Sequence, residues 1–316
     1  MRIHRNGISP RPGSQSPQID PLPQYFLAFE GVKTEYQYFF GIQSRQESLG
    51  FSALKDITLL QRHATKEQQS NPAKFLPLVL QSLEEYKTGS FSVKTIVEHA
   101  VDWLILKNHL PKKGCTKQKM LEILLENLEN DRYSPDSPIT DWDELTQKLH
   151  DHLIDLYKIR ISAESIRDFH IYLKQQFVTY NPRYDKVCII VDRDPESFTS
   201  SQYDSVLALC NEKKISLHLS NPCFEFWLLL HFPKVHELDS EEMLANRKIS
   251  IHKRFLENEL QKIHPEFRKN NLKFGLFADH IDDAIENESH FCEELSGLKT
   301  ELGSNIGKLL SEMRSS

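Results

Sequence analysis

One segment narrows the fold of this chain more than any other: Lys186 to Ser197, KVCIIVDRDPES. Val187 to Val191 is an unbroken apolar run, mostly β-branched, closed by Asp192 and, two residues on, Asp194. A run this short and this apolar reads as a strand covered on both faces, the habit of parallel α/β sheets. Ligands of such sheets bind beyond the carboxyl ends of the strands. Two aspartates at i and i+2 in that position suit a hard cation such as Mg²⁺, and equally suit a solvated turn.

The neighbouring segments supply the rest of a sheet. YFLAF, from Tyr25, reads as a first strand and runs into EGVKTE, Glu30 to Glu35. Gly31 permits a tight strand-to-helix turn, and Thr34 is placed to cap a helix over Glu35 to Ser44. Glu30 therefore falls on the same rim as Asp192 and Asp194. Glu35 reads either as a first-turn acid favoured by the helix dipole or as a catalytic acid. Asp56 to Leu60 reads as a second strand, and Asn71-Pro72 opens a helix to about Lys87. From Gly89 to Pro182 the pattern turns helical, with apolar stripes such as Leu145, Leu149, Leu153 and Leu156, and another over Ile166, Phe169, Tyr172, Leu173 and Phe177. The sheet resumes with the Val187 run, a helix over Ser201 to Lys213, and a strand at Ile215 to Leu219. In SNPCFEFWLLLHF, Ser220 to Phe232, Asn221 caps and Pro222 starts an apolar helix with Glu225 in its first turn. That acid reads either as a site residue or as a partner of the dipole. The remainder reads as helices, the first over Ile249 to Ile263.

These segments predict an α/β chain with three parts. Residues 1–24, with five prolines, form a disordered tail; 25–88 and 183–316 form the sheet domain; 89–182 form an all-helical insertion. Charge excludes one function class and leaves another open. A net charge of −6 rules out a molecule that attracts polyanions over its whole surface. The stretch from Arg247 to Lys273, however, carries eight Lys or Arg against three Glu and is a candidate nucleic-acid contact, with Lys253, Arg254 and, beside the acids, Arg193 as the named cations. Five scattered cysteines without a C-x-x-C pair, and no apolar leader, point to a reducing cytoplasm and away from structural zinc. No apolar stretch is long enough for a membrane helix.

The blocks FEGVKTE, VDRD and SNPCFEFWLLLHF, in this order, resemble the RloB-like family, a branch of the Toprim-type domains related to defence nucleases of the OLD type. The resemblance covers about Tyr25 to Lys87 and Lys186 to Phe232, and the C-terminal helices loosely. It implies a Toprim-like parallel sheet flanked by helices, and it implies a metal site. Glu30 would act as general acid or base and ligand, and Asp192 and Asp194 would hold Mg²⁺ or Mn²⁺. Glu225 would match the family's third-block acid, and Lys33 and Thr34 stand where some Toprim domains carry a second acid. It further implies a nuclease effector of anti-phage defence and abortive infection, cutting DNA or an RNA such as tRNA, beside an ATPase partner of ABC or SMC-like type. A non-catalytic sensor or adaptor subunit that binds nucleotide or nucleic acid is the competing expectation, and a homo-oligomer stays open.

Overall fold

The computed structural model describes residues 24–31, 34–51, 57–60, 71–88, 91–106, 116–139, 141–157, 169, 173, 180–251 and 253–315. The tail before Gln24, the loop 61–70, Lys33 and most of the expected stripe from Ile166 to Phe177 lie outside these residues. Gln24, expected in the tail, is buried, and its backbone N–H donates to Asp185 Oδ1 at 3.0 Å.

Five strands form one sheet: β1 (Tyr25–Phe29), β2 (Ile57–Leu60), β3 (Lys186–Asp192), β4 (Ile215–Asn221) and β7 (Gly303–Ser304). Their order is β2-β1-β3-β4-β7, with every pair parallel except β4–β7. The alternation of side chains across each strand divides two cores. Tyr25, Leu27, Phe29, Cys188 and Ile190 face one, and Phe26, Ala28, Val187, Ile189 and Val191 face the other. This double burial is why these strands lack the polar alternation of an exposed sheet. The chain leaves β1 through α1 (Thr34–Ser44), packed on the first core, and leaves β3 through α6 (Ser200–Lys213), packed on the second. Strand order also reverses here, since β2 lies on one side of β1 and β3 on the other. The carboxyl ends of β1 and β3 therefore flank the crevice where α/β sheets bind ligands.

Between β2 and β3 come α2 (Pro72–Thr88), α3 (Val93–Leu106), α4 (Lys117–Asn130) and α5 (Trp142–Tyr157). Asn71 Oδ1 accepts from Ala73 N at 2.8 Å and so holds the start of α2. The apolar faces of α3, α4 and α5 meet in a third core with Trp103 stacked edge-on to Phe169 at 5.0 Å. Among the described residues of this stretch no strand joins the sheet.

Three local expectations are corrected. Asn221 ends β4 and does not cap a helix: its amide donates to Leu298 O and Glu301 O, and the Asn221–Pro222 peptide is cis. The helix that follows, α7 (Phe224–Leu229), starts two residues later than expected, with Cys223 as its N-cap. The region from Arg247 begins not as a helix but as a hairpin, β5 (Lys248–Ser250) and β6 (Lys253–Arg254), reached through α8 (Ser240–Ala245) and leading into α9 (Phe255–Ile263). Helices α10 (Ile281–Glu288), α11 (Leu295–Leu298) and α12 (Ile306–Arg314) complete the chain around β7.

Glu288 gives the fold a pH dependence. Its carboxylate accepts from Gly307 N at 3.0 Å at the start of α12, yet burial raises its pKa from 4.5 to about 7. Because the folded pKa is the higher one, the fold takes up a proton there. The stabilisation is complete below about pH 4.5 and is lost as pH rises through 7, by up to about 3 kcal/mol. Urea unfolding at pH 5 and pH 8 should show Glu288→Gln losing less stability between the two than the parent protein. Equal losses would show that Glu288 does not titrate in this range.

Candidate active site at the β1–β3 rim

The site grows from backbone register. Phe29 stands opposite Ile190, so the next residues, Glu30 on one strand and Val191-Asp192 on the other, emerge side by side. Glu30 N donates to Ile190 O at 3.0 Å, which carries the ladder one residue beyond β1. Glu30 Oε2 in turn accepts from Asp192 N at 3.3 Å. Asp192 Oδ1 accepts from Phe224 N at 2.8 Å, so this one aspartate joins β3 to the start of α7.

Two further acids lie near enough to Asp192 to act on its charge. Glu35, in the first turn of α1, lies directly over Gly31: a Cβ there would sit 2.1 Å from Glu35 Oε2. Gly31 thus leaves room for the Glu35 carboxylate where it stands, and a side chain there would displace it. Glu225, buried in the first turn of α7, pairs with Lys269 Nζ at 2.7 Å. Sequence reasoning did not single out Lys269, because nothing in its spacing separates it from the other cations nearby. Its loop is clamped to α1, where Thr34 Oγ1 donates to Lys269 O and Leu272 N donates to Gln37 Oε1 at 2.6 Å.

The electrostatics follow from this crowding. Burial, and then the charges of Glu35 and Glu225, raise the pKa of Asp192 well above the usual carboxylate range, with Glu30 adding to the effect. Burial pushes Glu225 the same way, but the Lys269 ammonium and the hydrogen bonds from Cys223, Lys269 and the backbone together outweigh it and leave Glu225 below its ordinary value. Desolvation pulls Lys269 down, but Glu225, Cys223 and Asp192 together raise it by more, so it stays charged. Burial, followed by Glu225 and Asp192, keeps Cys223 a thiol, which argues against a thiolate nucleophile here.

Asp194 lies at the mouth of the cleft, and its carboxylate holds a turn. Oδ1 accepts from Glu196 N at 3.2 Å and Oδ2 from Ser197 Oγ at 3.1 Å. Arg193 requires a correction. Expected to meet nucleic acid, it is 2% exposed and points inward, donating from Nε to Lys299 O at 2.8 Å and from an Nη to Phe198 O at 2.6 Å. Its guanidinium also lies over the rings of Tyr203 and Phe198. Lys253 and Arg254 do reach the site, lining a cleft of about 410 Å³ with Asp192, Asp194, Glu225 and Lys269. The positive stretch does not act as one patch. Lys262 pairs with Glu259 at 2.6 Å, Lys273 with Glu266, and Arg268 donates to backbone carbonyls. The cations lining the cleft are Lys269 and those of the hairpin, of which Arg254 also pairs with Glu196 at 3.6 Å.

Asp192, half-buried and raised in proton affinity by the acids around it, offers hard carboxylate oxygens of the kind that suit a hard divalent cation. Among the described residues, no group of three or more His, Cys, Asp or Glu side chains is placed to hold a metal ion, so any cation here would rest on two carboxylates and on water or substrate oxygens. Sheet, switch point and acidic rim together define a Toprim-like α/β protein. The chain belongs to the RloB-like family, whose model, described as RloB-like protein, matches residues 25–313. No curated protein and no solved structure matches the chain. Among the described residues no helix is long and apolar enough to cross a membrane.

Proposed function

We propose that this protein is a divalent-cation-dependent nuclease that hydrolyses phosphodiesters of DNA or RNA, tRNA included, at the β1–β3 rim. The observation that carries the reading is that Asp192 and Glu225 line one cleft with Lys253 and Arg254, while Glu30 and Glu35 add their charge at Asp192 from behind it. Acids alone would repel a polyanion, and a basic wall alone would only bind one. Glu30 and Asp192 would hold Mg²⁺ or Mn²⁺, with Asp194 near. Two carboxylates are enough, because Mg²⁺ keeps several waters and takes further ligands from substrate phosphates. When bound, the cation supplies neutralisation of charge on the phosphate and the leaving oxygen. Glu30 handles the proton of the attacking water. Lys269 holds Glu225 ionised and balances part of the acidic charge. The hairpin cations fix the strand through its phosphates. Family membership supports a role as an effector in anti-phage defence, controlled by an ATPase partner of ABC or SMC-like type.

One observation favours a second reading, a sensor subunit that binds nucleic acid without cutting it: Lys269 already pairs with Glu225 at 2.7 Å. Incubation of the full chain with duplex DNA, single strands and bulk tRNA, in Mg²⁺ or in EDTA, with and without the ATPase, separates the two. Cleavage of at least one substrate in Mg²⁺ and none in EDTA is expected. Binding without cleavage under every condition would transfer the assignment to the sensor.

A further inference from the structure

The hairpin β5–β6 combines a fixed base with an apolar, exposed tip. At its base, Asn246 is buried in a left-handed conformation. Its side chain accepts from Leu256 N at 3.0 Å and donates to Cys223 Sγ at 3.3 Å, next to the acidic cluster. Phe255 N donates to Arg247 O at 3.0 Å and closes the ring of chain. Ile249 and Ile251 project from this base at 49% and 88% exposure, the two most exposed large apolar side chains among the described residues. Ile251, Lys248, Lys253 and Arg254 all line the cleft that contains Asp192. A lone surface isoleucine carries no message. An isoleucine at the tip of an anchored two-stranded ribbon, with cations on both strands and a carboxylate site at its foot, has a specific chemical complement. The cations match phosphates, and an apolar tip between them matches the face of a nucleobase.

We propose that this hairpin is a wedge, with Ile251 entering the base stack of the bound strand while Lys248 and Lys253 hold the flanking phosphates. The inference rests on the nucleic-acid reading of the cleft and goes further in naming the substrate class: strands with an unpaired or easily unstacked nucleotide beside the phosphate to be cut. Apolar wedges of this kind enter base steps at the cost of unstacking, so a site that is already unstacked binds better. The wedge also gives the hairpin a role separate from charge. Phosphate contacts position a strand, whereas the tip selects where it can deform.

The test uses the full chain in EDTA, so that nothing is cut, with two synthetic DNA probes carrying 2-aminopurine, one in a single-nucleotide bulge and one fully paired. The parent protein should bind the bulged probe at least about tenfold more tightly than the paired one and raise its fluorescence on binding. Ile251→Ser should lose both the preference and the fluorescence rise, and Ile251→Leu should retain them. Because Ile251 is exposed, unchanged circular dichroism is expected for both variants. Binding without a fluorescence rise, or an equal rise with Ile251→Ser, overturns the wedge and leaves the nuclease reading standing. Binding of neither probe nor of tRNA, in EDTA and again in Ca²⁺, overturns both. Capture of phosphatidylglycerol vesicles by the parent but not by Ile251→Ser, without a response to either probe, assigns the tip to a lipid surface and also overturns the wedge.

Discussion

Asp192→Ala is expected to slow phosphodiester cleavage by at least about a hundredfold, equivalent to about 2.7 kcal/mol of transition-state stabilisation. Asp192 is the residue on which the site converges. It ends the central strand, receives Phe224 N–H, lies beside Glu30, and is the group whose proton affinity the other acids raise. Its removal leaves the hairpin cations in place, so affinity for the uncut strand should change little. Stability should also change little, because loss of the Phe224 hydrogen bond, about 1 kcal/mol, is offset by relief of repulsion from Glu35 and Glu225. Lys253→Glu with Arg254→Glu should do the reverse, weakening binding and flattening its dependence on salt, since fewer phosphates are neutralised. Initial rates and salt titrations on the same substrate read both effects. Cleavage by Asp192→Ala at the parent rate would move the chemistry away from this rim.

Arg193→Ala is expected to produce the largest loss of stability among the residues near the site, about 3 to 5 kcal/mol. Its guanidinium satisfies the carbonyls of Lys299 and Phe198 and lies over two aromatic rings, so truncation leaves acceptors unpaired and opens space beneath the β3–α6 connection. Melting temperature should fall by roughly 5 to 10 °C, while the salt dependence of nucleic-acid binding by the protein that remains folded stays as in the parent. A flattened salt slope with unchanged melting temperature would restore Arg193 to the binding surface.

Much of the frame was legible in the sequence because apolar periodicity reports burial directly. The runs Tyr25 to Phe29 and Val187 to Val191 are continuous because both faces of the sheet are covered, and that continuity identified them as strands. The position of Glu30 and Asp192 on one rim followed from strand ends alone. What was hidden depends on tertiary context. β7 is two residues long and exists only because β4 extends to Asn221. The hairpin alternates Lys, Ile, Ser and Ile over too few residues to be distinguished from the start of the helix that follows it. Arg193 and Lys269 were indistinguishable from other cations. One is turned inward by the carbonyls of Lys299 and Phe198, and the other is brought 2.7 Å from Glu225 by a loop from a distant part of the chain.

The central claim, that the β1–β3 rim is a divalent-cation site, is tested most directly by titrating Mn²⁺ into the full chain and following the free ion by electron paramagnetic resonance. The comparison is with Asp192→Asn, which keeps an acceptor for Phe224 N–H while removing the charge. The parent protein should bind Mn²⁺ saturably, Mg²⁺ should displace it, and Asp192→Asn should bind at least about tenfold more weakly. Equal Mn²⁺ affinity in the two proteins would contradict the claim.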